Sequence, residues 1–226
     1  MLCSLLAQLI LIFRIQESVG MMPKSSKPKK PSGQYHHGDL KYALVAAAKD
    51  LLKKNGPEGL TLRQTARAVG VSHTAPYRHF ADKNELLAEV ATGGFYTLKQ
   101  VLKRVIEDSD GDRLFEMGMA YVLFAVEQPH LYRLMFGPAF RDKAPHPQLE
   151  QAAEDAFAEL VELIQLGQDN QYFRAGDTRE FGTILWALVH GLANLVIDGQ
   201  VAPEDPSQLG GALASFVRCA LLPLHE

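Results

Sequence analysis

Residues 61–83 read TLRQTARAVGVSHTAPYRHFADK, two short helical patterns hinged on one glycine, and few folds accommodate that arrangement. Thr61 with Gln64 three residues on forms a capping box. Leu62, Ala66 and Val69 then recur at helical spacing, so the first segment buries one face. Gly70 supplies the left-handed backbone that ends it, Val71 follows as an apolar plug, and Ser72 is suited to cap a second helix. Helix, glycine turn and capped helix together make a helix-turn-helix pattern.

In that pattern the residues just after the second cap face a DNA major groove, which places His73, Thr74, Ala75 and, one turn on, Arg78 at base edges. Arginine spans both acceptors of a guanine. Histidine and threonine donate or accept, and an alanine methyl rests against a thymine methyl. Tyr77, His79 and Lys83 suit backbone phosphates, which fix register without reading sequence, while Phe80, Leu86 and Leu87 return to the apolar face. The plain alternative is a helical hairpin whose aromatics are core and whose His and Arg are merely solvated.

Charge separates these readings. Residues 21–83 carry 12 Lys and Arg against 4 Asp and Glu, a net of +8, whereas residues 84–226 carry 10 against 21, a net of −11. The overall net of −3 conceals this division. A polyanion is attracted only to the basic part, so DNA is expected to meet the N-terminal region alone.

The run GLTLRQTARAVGVSHTAPYRHFADKNELL resembles the DNA-binding domain of the TetR/AcrR family of bacterial one-component regulators, over about residues 38–87. The "GVS" turn, the Tyr77-x-His79-Phe80 signature and the following Lys83 carry the likeness. The resemblance implies that Arg63, His73, Thr74, Ala75 and Arg78 face bases while Thr61, Tyr77, His79 and Lys83 hold phosphates. Two positions depart from the commonest form: Thr74 stands where many members have Gly, and Pro76 replaces an aliphatic residue. Proline loses little at a helix start, but it restricts Ala75 and is expected to shorten or tilt the reading helix.

Upstream, Leu40, Ala43, Leu44, Ala47, Leu51 and Leu52 mark an amphipathic helix closed by Asn55, Gly56 and Pro57, completing a three-helix unit. Its entry, Tyr35-His36-His37-Gly38, places an aromatic and two imidazoles near the DNA backbone. Adjacent histidines do not converge as metal ligands do, so no metal is expected. Residues 1–13 are leucine-rich, too short to span a bilayer, and lack the basic start of a secretory signal. Met21-Met22, directly before a polar tract, is the expected true start. If translated, the preceding residues would form a helix docked on the protein. Residues 23–33, with Lys24, Lys27, Lys29 and Lys30, read as a disordered basic arm or a solubilising tail.

The expected organisation is therefore all-α: an N-terminal extension (1–33), a helix-turn-helix domain (34–83), and a helical ligand-binding and dimerisation domain (84–226). In the last, residues 84–106, 112–127 and 147–168 read as helices. Leu131, Leu134, Met135 and Phe136 look buried in a short segment after Pro129. Residues 183–199 are apolar nearly all round, which calls for two partners, the domain's own core and a second subunit, with 207–222 alongside. Gly191 and Ala193 would permit close helix approach. Trp186, His190 and Gly191 resemble the Trp-His-Gly pattern of one TetR subgroup whose last two helices form a homodimeric four-helix bundle.

The resemblance implies a homodimer on an inverted-repeat double-stranded DNA operator, released by a small-molecule effector in a cavity near Tyr121, Phe124, Phe157, Trp186 and His190. It also implies repression, no cofactor, no membrane and a cytoplasmic location. The two cysteines, Cys3 and Cys219, suggest no disulfide framework and fit a reducing compartment. Two alternatives come from other classes. One is a non-specific DNA-binding protein. The other is a helical enzyme using His190, although its nearest acid, Asp198, is eight residues away and more than ~10 Å along a helix, and no nucleophile elbow, phosphate loop or ligand cluster appears.

Overall fold

The structure, a computed structural model, describes residues 37–109, 111–140, 145–201 and 209–221. These are helical, with no strand among them. The basic arm, the Met21-Met22 start, Cys3, Tyr35 and His36 lie outside the described residues.

Helix α1 (His37–Asn55) buries Leu44, Ala48 and Leu52 along one stripe. Gly56 ends it with φ +69°, its N–H donating to the Leu52 carbonyl at 2.9 Å. Helix α2 (Leu62–Val69) begins at Thr61, whose Oγ1 accepts from the Gln64 N–H at 3.2 Å and donates to Gln64 Oε1 at 2.8 Å. The expected cap is thus present. Leu62 and Ala66 are buried as the spacing requires, but Val69 is only half-buried and Thr65 is fully buried in its place. A threonine tolerates that position because its hydroxyl donates to the Thr61 carbonyl at 2.9 Å.

Gly70 sits at φ +80°, and the N–H of Val71 reaches back to the Ala66 carbonyl at 3.0 Å, the double closure of a left-handed helix end. A side chain at 70 strains this backbone by roughly 1–2 kcal/mol. Gly70→Val is expected to lower the unfolding free energy by at least that amount, read from urea denaturation.

The second helix of the motif differs from expectation. Instead of an α-helix capped by Ser72, the chain makes one 3₁₀ turn, Ala75–Arg78, led by Thr74 with no side-chain cap. Ser72 contributes its carbonyl to the Ala75 N–H (3.0 Å) and its hydroxyl to a 3.1 Å contact with that of Thr74. Pro76 is the cause. It has no N–H to return to Ser72 and disfavours helical backbone at Ala75, so the segment closes through shorter loops. Pro76 and Phe80 are buried and pin the turn to the unit's core.

Helix α3 (Lys83–Asp108) starts from Asp82, whose carboxylate accepts from the N–H groups of Asn84 (2.7 Å) and Glu85 (3.0 Å). At 26 residues it is about 39 Å long. Lys41 on α1 pairs with Glu89 on α3 at 2.9 Å. Helix α4 (Arg113–Glu127) is buried from Leu114 to Ala125 apart from the partly exposed Glu116, and is the central rod of the C-terminal bundle. It packs against α3, α5 (Pro129–Phe136), α7 (Thr178–Ile197) and α8 (Leu209–Leu221), while α6 (Pro147–Asp169) packs on α3 and α7.

Helix α7 begins five residues before the expected Thr183 because Asp177 caps it, accepting from the Glu180 N–H at 2.8 Å. By length and composition it is apolar enough to cross a bilayer. Here Phe181, Leu185, Val189 and Ala193 pack into the bundle, whereas Ile184, Leu188 and Leu195 are exposed on the other side, with Phe216 of α8 exposed as well.

Candidate DNA interface and ligand cavity

The recognition turn presents its side chains outward. His73, Thr74, Tyr77 and Arg78 are exposed, Ala75 is half-exposed, and Thr61 and Arg63 at the start of α2 are exposed too. Lys83 is half-exposed at the first residue of α3, where the helix dipole adds to its positive charge. His79 differs from its neighbours. It is half-buried with Nε2 enclosed by protein, which makes that nitrogen a poorer phosphate ligand than the Tyr77 hydroxyl or the Arg78 guanidinium. Pro76, buried beneath the 3₁₀ turn, anchors the backbone from which Tyr77 and Arg78 project.

The C-terminal bundle forms a cavity of about 850 Å³ that opens to solvent, within the ~300–1,000 Å³ range of small-molecule sites. Phe95, Met117, Tyr121, Phe136, Phe157 and Trp186 form much of its wall. Of the residues expected near a cavity, Tyr121, Phe157 and Trp186 line it. Phe124 does not. Its ring is fully buried, one turn beyond Tyr121 along the same helix, and it is not part of the wall. His190 stands behind the wall, joined to it by hydrogen bonds.

Those bonds form a partly buried chain. Trp186 Nε1 donates to the Tyr121 hydroxyl at 3.0 Å, the Tyr121 and Tyr132 hydroxyls are 3.1 Å apart, and Tyr132 approaches His190 Nδ1 at 2.6 Å. Tyr121 is also 3.0 Å from the same nitrogen. Burial pushes the His190 pKa below its ordinary 6.5 and raises both phenols. A neutral ring that accepts at Nδ1 gives one consistent order: Trp186 to Tyr121, Tyr121 to Tyr132, Tyr132 to His190. The Trp186, Tyr121 and Tyr132 donors are each used once, and only the Nε2–H of His190 points outside this chain of bonds.

The sign for stability follows. A histidine with a depressed native pKa is charged more readily in the unfolded chain, so its contribution is fully present above the ordinary value of about 6.5 and is lost progressively as pH falls from there through the lower native pKa. Wild type is expected to lose more stability between pH 8 and pH 5.5 than His190→Gln. Equal losses in urea melts would contradict the buried neutral imidazole.

Tyr132 and Phe136 carry much of this site. The Phe136 ring centroid lies 5.1 Å from Phe95, 4.9 Å from Tyr132, 6.0 Å from Trp186 and 5.0 Å from His190. Sequence reasoning took Phe136 as core and passed over Tyr132. The available signal was Pro129 at the start of α5, which fixes the phase that puts 132 and 136 on one side.

Charge on the cavity wall gathers in α6 and the start of α7. Glu150, Glu154 and Arg179 line it, and Arg179 donates two hydrogen bonds to Glu154, at 2.6 and 2.9 Å. That pairing holds the Glu154 pKa below the usual carboxylate value. Away from the cavity, Asp198 is engaged by Arg133, so it does not partner His190 in an acid–base pair. Among the described residues no three His, Cys, Asp or Glu side chains converge to hold a metal.

A short helix-turn-helix with an outward turn, continuous with a helical bundle that carries a cavity, is the architecture of a helix-turn-helix DNA-binding regulator. Residues 44–90 match the model of bacterial regulatory proteins of the tetR family, and residues 114–216 match the tetracyclin repressor-like C-terminal domain. A protein of unknown function from Rhodococcus sp. RHA1 is 31% identical, with a TM-score of 0.73 over 86% of this chain and all of that one. A TetR-family transcriptional regulator from Pectobacterium atrosepticum shares the fold at 18% identity, with a TM-score of 0.64 over 83% of this chain and 93% of its own. The HTH-type transcriptional regulator Rv1816 of Mycobacterium tuberculosis is 24% identical, the match spanning 81% of this chain and 91% of that one. The chain belongs to the TetR family of DNA-binding transcriptional regulators.

Proposed function

We propose that the chain is a cytoplasmic repressor that binds an inverted-repeat operator as a homodimer and leaves it when a small molecule fills the cavity. In this reading residues 34–83 are the DNA-binding domain and 84–226 the ligand-binding and dimerisation domain. His73, Thr74, Ala75, Arg78 and Arg63 read bases, and Thr61, Tyr77 and Lys83 hold phosphates. His79 contributes less than the sequence pattern implied.

The observation that carries the proposal is α3. It begins just beyond the recognition turn and continues unbroken to Phe95, Leu98 and Leu102 on the cavity wall. A second link runs through α5. The His130 imidazole stands beside the Gly56 turn, where a Cβ would lie 3.4 Å from it, and Phe136 at the other end lines the cavity. A ligand that shifts either helix changes the spacing of two recognition turns in a dimer, and operator DNA must weaken ligand binding by the same factor.

The exposed Ile184, Leu188, Leu195 and Phe216 are the proposed dimer contact. At Gly191 a Cβ meets nothing within 4 Å in the protomer, leaving room for a partner helix to come close. Leu188→Asp is expected to yield a folded monomer by size-exclusion chromatography with operator affinity reduced at least 100-fold. A stable Leu188→Asp dimer would remove this face from the interface. Selection of bound fragments from genomic DNA tests the rest: an inverted repeat is expected, and a set with no shared two-fold motif would contradict the symmetric docking.

A further inference from the structure

We propose that the cavity takes a lipophilic cation, an ammonium-type head on an apolar body, with Glu150 and Glu154 receiving the charge. The inference rests on the cavity being the effector site and specifies its chemistry. Three observations carry it.

The inner wall asks for no polar ligand atoms. The Trp186 Nε1–H, the Tyr121 and Tyr132 hydroxyls and the His190 Nδ1 satisfy one another, and the Thr183 hydroxyl donates to the Arg179 carbonyl at 2.8 Å. A ligand there needs an apolar body, because any polar group it buried would lack a partner.

Among the described residues the charged part of the lining is Glu150, Glu154 and Arg179, two carboxylates to one guanidinium, on α6 and the start of α7. That guanidinium already shows how a cation sits. Arg179 lies 5.2 Å from the Phe157 ring centroid, within cation–π range, while both its Nη atoms bind Glu154. A ligand cation in its place inherits the Phe157 ring face and the Glu154 carboxylate and gains Glu150, while Arg179 swings into water. An anion would have to separate Arg179 from Glu154 and would then share the lining with two carboxylates.

The field agrees at longer range. Residues 84–226 carry a net −11, which concentrates cations and repels anions near this half of the chain.

The test uses the full chain at pH 8 with dodecyltrimethylammonium, dodecanol and dodecanoate below micelle-forming concentrations, so that only the head differs. Trp186 is the chain's one tryptophan, and its fluorescence reports occupancy. The ammonium is expected to bind at least tenfold tighter than the alcohol, with the carboxylate weakest. Glu150→Gln combined with Glu154→Gln removes the ammonium's advantage and leaves alcohol binding, which also shows that the variant is folded. Arg179→Met raises ammonium affinity several-fold, because the competing internal cation is gone.

A carboxylate that binds as tightly as the ammonium, or an Arg179→Met change that weakens the ammonium, overturns the proposal. So does a failure of all three probes to alter Trp186 emission. Operator affinity measured in the same titration separates the two levels: an ammonium bound as described with DNA affinity unchanged refutes the effector reading and leaves the cavity's chemistry standing.

Discussion

Replacing Tyr77 and Arg78 together by alanine is expected to abolish measurable preference for the operator while leaving the fold intact. Both side chains are exposed on the 3₁₀ turn, so their removal exposes no core. A bidentate arginine–guanine contact is worth about 1–3 kcal/mol, and a two-fold dimer loses it twice. In the proposed docking Tyr77 adds a phosphate contact in each half-site. The combined loss is roughly 1,000-fold in specific affinity, with a smaller loss on random DNA. Electrophoretic mobility shift or fluorescence anisotropy reads the loss, and an unchanged thermal melt shows that it is not unfolding. A variant with full operator affinity would remove the recognition turn from the interface.

The second large effect concerns stability. Phe124→Ala is expected to cost about 3–5 kcal/mol of unfolding free energy, because the ring is 0% exposed in the central helix α4. Phe157→Ala, on the cavity wall and only half-buried, should cost markedly less and should instead change ligand binding. Urea titrations separate the two. Similar losses from both variants would contradict the division between packed core and open wall.

That division shows what was legible in the sequence. Residues whose role depends on neighbours within one turn could be read directly: Thr61 with Gln64 as a cap, and Gly70 as a left-handed stop. The effect of Pro76 was legible in direction, since a missing N–H shortens a helix whatever surrounds it. Its extent was not, because reduction to four residues depends on how Pro76 and Phe80 pack beneath the turn.

The cavity was harder to read for a physical reason. A wall residue and a core residue have the same apolar chemistry, and only the relative phase and spacing of four or five helices tells them apart. Ala153, Phe157 and Leu160 fit one helical face, yet they are half-buried because that face opens on the cavity, while Ala152, Leu163 and Ile164 take the core. Phe124 and Tyr121 lie three residues apart in one helix, and one is core while the other lines the wall. Tyr132 escaped notice because its partners, Tyr121 and His190, are 11 and 58 residues away in sequence. The pairing of Arg179 with Glu154 is equally remote, 25 residues apart.

The outward turn, the basic N-terminal region and the acidic bundle converge on specific recognition of DNA by the N-terminal unit. The alternative, a protein that coats DNA without regard to sequence, uses the same charge but not the same side chains. The deciding measurement is the ratio of dissociation constants for a selected inverted-repeat site and a scrambled duplex of equal length, at one fixed salt concentration. The structure predicts a preference of ~10³ or more. A ratio near one, with both affinities falling equally as salt rises, would contradict sequence-specific regulation and leave only electrostatic attachment.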